Sequence, residues 1–264
     1  MDHKPRKRFG QNFLHDPGVI HRIVGAIAPT LEQHLVEIGP GQGAISAGLL
    51  KLSGFLDVIE LDRDLIEPLA QVLGTAKNLR IHSGDALKFD LCPLATDGER
   101  LRVIGNLPYN ISTPLLFRFL HQADCIQDMH LMLQKEVVQR IIAEPGSRVY
   151  GRLSVMVQAY CQAWSLFDIG RGAFTPAPKV DSALMRLIPR RRLPEPIHAP
   201  KMLSSIVAAA FSQRRKTLRN SLKKVVDLEL VLACGIDPTA RAETLGPDTY
   251  IRLANAACKS SHST

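Results

Sequence analysis

His34-Leu35-Val36-Glu37-Ile38-Gly39-Pro40-Gly41-Gln42-Gly43-Ala44 is the stretch that decides the fold class. A short apolar run of strand length passes directly into a glycine-rich turn and then into a segment with helical spacing. Without side chains at Gly39 and Gly41 the backbone can come unusually close to a ligand, and the first N–H groups of the following helix are left to bind it. The same stretch satisfies G-x-G-x-x-A, and Glu60 follows Gly39 by 21 residues. That spacing also suits a dinucleotide fold.

Outward from this turn, residues 15 to 188 alternate short apolar runs with amphipathic segments, as a sheet with crossover helices does. Strands are expected near 34–38, 55–60, 79–82, 101–105, 126–133, 164–169 and 182–188. Helices are expected near 44–52, 63–73, 112–122, 134–143 and 152–162. Asp16-Pro17 opens an earlier helix, Asp16 as N-cap and Pro17 at N1, with Val19, Ile20, Ile23, Val24 and Ile27 on one face. Ser112 or Thr113 is expected to cap the helix that carries Pro114 just inside its start. Pro189, Pro194, Pro196 and Pro200 then interrupt regular structure, so the domain boundary falls there. Residues 1–190 form the sheet domain, with an N-terminal arm over 1–15. Residues 191–264 form a small all-α domain with helices near 202–211, 216–224, 228–234 and 247–257.

Glu60 ends the run Asp57-Val58-Ile59-Glu60, where a carboxylate can accept hydrogen bonds from both hydroxyls of a ribose. NAD and S-adenosylmethionine share that ribose, so Glu60 fits either. Asp85, in Ile81-His82-Ser83-Gly84-Asp85-Ala86, ends the next strand and is placed to accept from an adenine amine; a helix N-cap before Ala86 is the structural alternative. Acids ending neighbouring strands beside the glycine turn together favour an adenosyl pocket.

Arg102-Val103-Ile104-Gly105-Asn106-Leu107-Pro108-Tyr109 is the most specific signal in the chain, a buried strand ending in Asn-x-Pro-aromatic. An adenine amine is a poor nucleophile because its lone pair is delocalised into the ring. Two acceptors that take its hydrogens can turn that lone pair toward a methyl donor, and the Asn106 side-chain oxygen and the Pro108 carbonyl can supply both. A sulfonium donor is already cationic, so no general base is required. Tyr109 offers a face for a base removed from its stack, replacing stacking worth roughly 1–3 kcal/mol. Phe174, in Gly172-Ala173-Phe174-Thr175-Pro176-Ala177-Pro178, can close the other face or pack in the core.

On these residues the chain resembles the KsgA/RsmA family of ribosomal RNA small-subunit adenine dimethyltransferases. Matching stretches are Lys7-Arg8-Phe9-Gly10-Gln11-Asn12-Phe13-Leu14, Glu37 to Gly43, Asn106 to Ser112, Phe174 to Ser182, and Phe211 to Leu222, spread over nearly the whole chain. The resemblance implies an α/β, Rossmann-like class I methyltransferase sheet with helices on both faces, plus the small helical domain. It implies S-adenosylmethionine as cofactor and dimethylation of two adjacent adenosines in the 3′-terminal hairpin of small-subunit rRNA, within an immature small subunit. It also implies that Asn12, Leu14, Gly39, Glu60, Asp85 and Asn106 contact the cofactor, with Gly41 in the same turn, and that the N-terminal arm folds over it.

A net charge of +8 points to a polyanionic partner. The charge is concentrated: residues 190 to 224 hold ten Lys/Arg against Glu195 alone. Arg214, Arg215, Lys216 and Arg219, followed by Lys223 and Lys224, crowd around one short helix, suiting phosphate contacts in an A-form stem. No run approaches the roughly 20 apolar residues that cross a bilayer. Lys4, Arg6, Lys7 and Arg8 precede no leader-like apolar stretch, so an unexported protein without membrane contact is expected, an organelle presequence being the alternative; a cytoplasmic monomer is the expectation. The five cysteines are scattered and the nine histidines lack metal-binding spacing, so neither a disulfide framework nor a metal is expected. Three other functions fit parts of the pattern: an NAD-dependent oxidoreductase, a large-subunit rRNA methylase of the macrolide-resistance type, and a ribosome-assembly factor for which methylation is secondary.

Overall fold

The computed structural model describes residues 10–96, 98–192 and 194–260; Lys4, Arg6, Lys7, Arg8 and Phe9 lie outside these. The chain divides into two compact units, one of Met1–Val138 with Ala163–Pro189, the other of Gln139–Gln162 with Arg190–Thr264.

In the first unit a short strand β1 (Phe13–Leu14) precedes α1 (Pro17–Ile27), β2 (His34–Ile38), α2 (Ser46–Leu52), β3 (Phe55–Glu60), α3 (Arg63–Leu73) and β4 (Leu79–Ser83). There follow β5 (Leu101–Asn106), α4 (Ser112–His121), β6 (Ile126–Gln134), α5 (Lys135–Ile141), β7 (Cys161–Ile169), β8 (Phe174–Thr175) and β9 (Ser182–Pro189); α6 (Arg152–Tyr160), between α5 and β7 in the chain, falls in the second unit. Seven strands form one sheet in the order β4-β3-β2-β5-β6-β9-β7. The pairs β2–β3, β3–β4, β2–β5 and β5–β6 are parallel, whereas β9 runs antiparallel to β6. Strand order reverses between β2 and β5, so a crevice opens at their carboxyl ends, where open α/β sheets bind ligands. β2 is buried at every position, as a strand covered on both faces must be.

The sheet is covered as the apolar periodicity foretells. Ile23 and Ile27 of α1, Leu49 of α2 and Leu69 of α3 are almost wholly buried against Leu35, Leu56, Val58 and Ile104, each such side chain contributing roughly 1.5–3 kcal/mol. Asp16 caps α1, its Oδ1 accepting from Val19 N at 2.9 Å, with Pro17 at the first helical position. At the other end, buried Arg102 donates to the carbonyls of Ile27 (2.8 Å) and Ala28 (3.4 Å) while pairing with Asp128. One β5 side chain thereby satisfies carbonyls that the end of α1 leaves open.

Two local expectations are corrected. Neither Ser112 nor Thr113 caps α4: Ile111 occupies the cap position without a side-chain bond, and the Ser112 hydroxyl, inside the helix, donates back to the Tyr109 carbonyl at 3.2 Å. Cys92 and Cys125, expected unpaired, form a disulfide across 33 residues with Cα atoms 5.3 Å apart. Tertiary structure makes that pair: the buried Gln122 side chain accepts from Leu91 N at 2.6 Å and draws the two segments together.

The second unit contains α7 (Pro200–Phe211), α8 (Leu218–Leu222), α9 (Leu228–Ala233) and α10 (Pro247–Ser260). Residues 139–162, assigned by sequence to the sheet domain, belong here, because α6 is buried from Ser154 to Val157 and at Ala159 and packs on α7 and α10. α8 is shorter than expected. Lys216 N bonds Gln213 O in a turn and Thr217 pairs with Arg241, so Arg215 and Lys216 sit ahead of the helix. Among the described residues no helix is long and apolar enough to cross a membrane.

Candidate active site

After β2 the chain turns through Gly39 and Gly41, both left-handed at φ +64° and +59°. Gly39 N donates to Ile59 O at 2.9 Å, fixing the turn against the end of β3. A side chain at Gly41 would meet the Phe13 ring at 3.0 Å. Glu60 ends β3 here. Its Oε2 accepts from Gly41 N at 3.1 Å and its Oε1 from Asp62 N at 2.8 Å, and burial raises its pKa. The Leu61 N–H also favours the ionised carboxylate, and with about four lone-pair sites the group keeps capacity for a ribose hydroxyl.

These groups line one cavity of about 360 Å³ at the reversal of strand order. Asn12, Leu14, Gly39, Gly41, Glu60, Asp85, Asn106, Pro108 and Tyr109 all reach its wall, bringing together every residue expected to touch the cofactor. Asp85 caps no helix; its Oδ1 accepts from Leu87 N at 3.0 Å in a tight turn on the cavity wall.

Sequence reasoning gave no role to Glu37. It is buried in β2 yet reaches the cavity, and burial, with a smaller push from the Glu60 charge, raises its pKa to about 7. The Ser46 hydroxyl favours the ionised form, but neither it nor Glu37 Oε2 has a partner at hydrogen-bond geometry. An unpaired buried oxygen on a cavity wall is costly unless a ligand or water donates to it. Its position two residues before the first glycine of the turn motif was the available signal.

The arm crosses the same cavity. Gln11 Nε2 donates to Asp62 Oδ2 at 3.0 Å, and β1 pairs with β8 through Leu14 opposite Phe174. Asn106, at the end of β5, donates its side-chain Nδ2 to the main-chain oxygen of Asn12 at 3.0 Å. The amide is thereby oriented, and Oδ1 remains as its acceptor. The Pro108 carbonyl takes one bond from Ile111 N at 3.1 Å and retains a second lone pair. Tyr109 is half-buried on the wall; its phenol meets Ser182 Oγ at 2.5 Å, and burial raises its pKa.

Phe174 departs from the expected stacking role. It is 2% exposed, packs with Leu14, Ile169 and Leu184, and does not line the cavity. Pairing β8 with the arm draws the ring inward, so its contribution is packing.

In the second unit Arg215, Lys216, Arg219, Lys223 and Lys224 are exposed and have no acidic partner among the described residues. Arg214 differs, since its guanidinium pairs with Glu243 at 2.9 Å and donates to the Arg148 carbonyl. Among the described residues no cluster of His, Cys, Asp or Glu is placed to hold a metal ion.

Comparison with known proteins agrees with this geometry. The family described as ribosomal RNA adenine dimethylase matches residues 2–259. A protein of Pseudomonas aeruginosa named ribosomal RNA small subunit methyltransferase A is 56% identical over 253 residues, covering 96% of this chain and 94% of that one. One of the same name from Methylococcus capsulatus is 56% identical over 254 residues, covering 96% and 98%. Among solved structures, a dimethyladenosine transferase from Plasmodium falciparum superposes with a TM-score of 0.79 at 24% identity, over 94% of this chain and 98% of that chain. The 23S rRNA methyltransferase ErmE does so with a TM-score of 0.71 at 24% identity, over 94% and 100%. At that identity these two show a shared fold. The family match and the 56%-identical relatives overturn the dinucleotide-oxidoreductase alternative. The chain belongs to the ribosomal RNA adenine dimethylase family.

Proposed function

We propose that the chain uses S-adenosylmethionine to dimethylate N6 of two adjacent adenosines in the 3′-terminal hairpin of small-subunit rRNA, acting as a monomer on an immature small subunit in the cytoplasm. The observation that carries this is the fixed Asn106 amide: with Nδ2 committed to Asn12, Oδ1 remains as an acceptor on a residue of the cavity wall that Pro108 also lines. The names of the relatives support the small-subunit target over a large-subunit one.

The cavity suits the cofactor. It is mostly apolar, with the acids Glu37, Glu60 and Asp85 on its wall, a set suited to a cationic adenosyl donor. Glu60 would hold the ribose, Asp85 the adenine amine, and Gly39, Gly41, Asn12 and Leu14 would pack around the rest. When bound, the donor supplies an electrophilic methyl on a positively charged sulfur. Oδ1 of Asn106 and the Pro108 oxygen take the two hydrogens of the target amine and hold its lone pair toward that methyl. The proton released after transfer passes to water. Tyr109 supports the extruded base by stacking.

The sheet unit, without residues 139–162, serves as the catalytic domain, and residues 191–264, within the helical unit, as the rRNA-binding domain. There Arg215, Lys216, Arg219 and Lys223 contact phosphates, with Arg214 holding the loop that presents them. Small-subunit assembly is then the process the enzyme serves. Incubating the protein with labelled methyl donor and, in parallel, immature small subunits or large-subunit RNA, then digesting each RNA to nucleosides, tests the proposal. Label in N6,N6-dimethyladenosine from the small-subunit hairpin is the expected result; label in large-subunit RNA alone, or none, overturns it.

A further inference from the structure

Tyr109 stands on a turn beyond the end of β5, and a turn by itself does not fix the tilt of an aromatic ring. What fixes it lies two strands away. Ser182 opens β9 and is fully buried, paired across the ladder with Gln134 of β6. β6 in turn pairs with β5, Met132 opposite Asn106. The Ser182 hydroxyl meets the Tyr109 phenol at 2.5 Å. Asp181 secures the approach to β9: its carbonyl accepts from Lys135 N at 3.0 Å and its Oδ1 from Arg171 N at 3.2 Å. The phenol therefore spans the end of β6, from the turn after Asn106 to a hydroxyl held rigidly by the sheet.

A buried hydroxyl is costly unless it is hydrogen-bonded, and the partner this one has is Tyr109. We propose that Ser182 is a positioning residue for methyl transfer, acting through the Tyr109 phenol to fix the plane on which the target adenine stacks relative to Asn106 Oδ1. This rests on the reading of Tyr109 as the stacking surface. Losing the latch leaves the cofactor pocket intact and lets the base settle at a range of tilts. The penalty falls on turnover, and on the second transfer most of all, since the amine then carries a methyl group and has one hydrogen left to anchor it.

The test is a double-mutant cycle in steady-state methylation of immature small subunits by the full-length protein, with cofactor affinity measured separately by titration. Ser182→Ala and Tyr109→Phe should each lower kcat roughly three- to tenfold, the loss of about one hydrogen bond, with cofactor affinity unchanged. The double variant should be no slower than either single one, Ser182→Thr should recover turnover, and the monomethylated fraction should rise in both single variants. Losses that multiply in the double variant, wild-type kcat in Ser182→Ala, or a parallel fall in cofactor affinity overturn the proposal. If Ser182→Ala fails to fold, Tyr109→Phe decides alone, and its full turnover counts against the latch. Tyr109→Ala separates the two levels: full activity in it removes the stacking reading and the latch with it, whereas a large loss in Tyr109→Ala beside wild-type kcat in Ser182→Ala and Tyr109→Phe keeps the stacking and removes the latch alone.

Discussion

Glu60 Oε2 accepts a hydrogen bond from the Gly41 backbone N–H at 3.1 Å, tying the acid that ends β3 to the glycine turn that ends β2. The two features that sequence spacing placed 19 residues apart are thus one piece of the cavity wall. Gly41→Ala would force a left-handed residue with a side chain, at roughly 1–2 kcal/mol, and push on the Phe13 ring 3.0 Å away. S-adenosylmethionine affinity, measured by calorimetry, should fall about tenfold with RNA affinity unchanged; an unaltered cofactor Kd would refute the assignment.

Asn106→Ala removes one acceptor for the target amine and releases the Asn12 carbonyl. Turnover should fall about 10²- to 10³-fold, with RNA binding by filter assay within about twofold of wild type. Asn106→Asp should be comparably slow, because a carboxylate cannot donate to Asn12 and is therefore not held in place. Wild-type methylation by either variant would reject the role.

Burial raises the Glu37 pKa from 4.5 to about 7, so the folded chain binds this proton more tightly than the unfolded chain. Its stabilising contribution is therefore complete below pH 4.5 and is lost as pH rises through about 7. Relative to Glu37→Gln, wild type should lose on the order of 3 kcal/mol across that window in urea denaturation. A pH-independent difference between the two proteins would show that the carboxyl does not titrate there. A cationic ligand should draw the proton off, so cofactor binding near pH 6 should release protons to buffer, which calorimetry in buffers of differing ionisation enthalpy detects.

Phe174 packs in the core, so Phe174→Ala should cost about 3–5 kcal/mol of stability. Phe174→Leu should keep most of both stability and turnover. Melting curves together with kcat on the folded fraction distinguish this from stacking: a Leu variant that melts like wild type but has lost turnover would restore Phe174 to the site.

Arg215 and Lys216 are free to reach phosphates and Arg214 is engaged with Glu243 and Arg148. Arg215→Ala with Lys216→Ala should flatten the slope of log affinity against log salt by about 2. Arg214→Ala should change that slope less. Equal slopes for wild type and the double variant would remove this surface from the interface.

Much of the fold was legible because it rests on side-chain pattern. β2, β3 and α3 fall on their expected limits, and Asp16-Pro17 starts α1 as its chemistry requires. What escaped depends on groups that sequence does not tag. The Asn12 group that orients Asn106 is a backbone carbonyl, which every residue type possesses. Glu37 looks like a strand residue until the cavity is seen beside it. Ser182 gains its meaning from a partner 73 positions away, and Cys92 from one 33 positions away. Ser112 has the right type for a cap but sits one step inside the helix, where its hydroxyl serves Tyr109 instead.

The peptide at Asn12 both walls the cavity and steadies the Asn106 amide. Any displacement of that peptide would also unsteady the acceptor for the target amine, so the donor pocket and the hold on the nucleoside are tied through one backbone group.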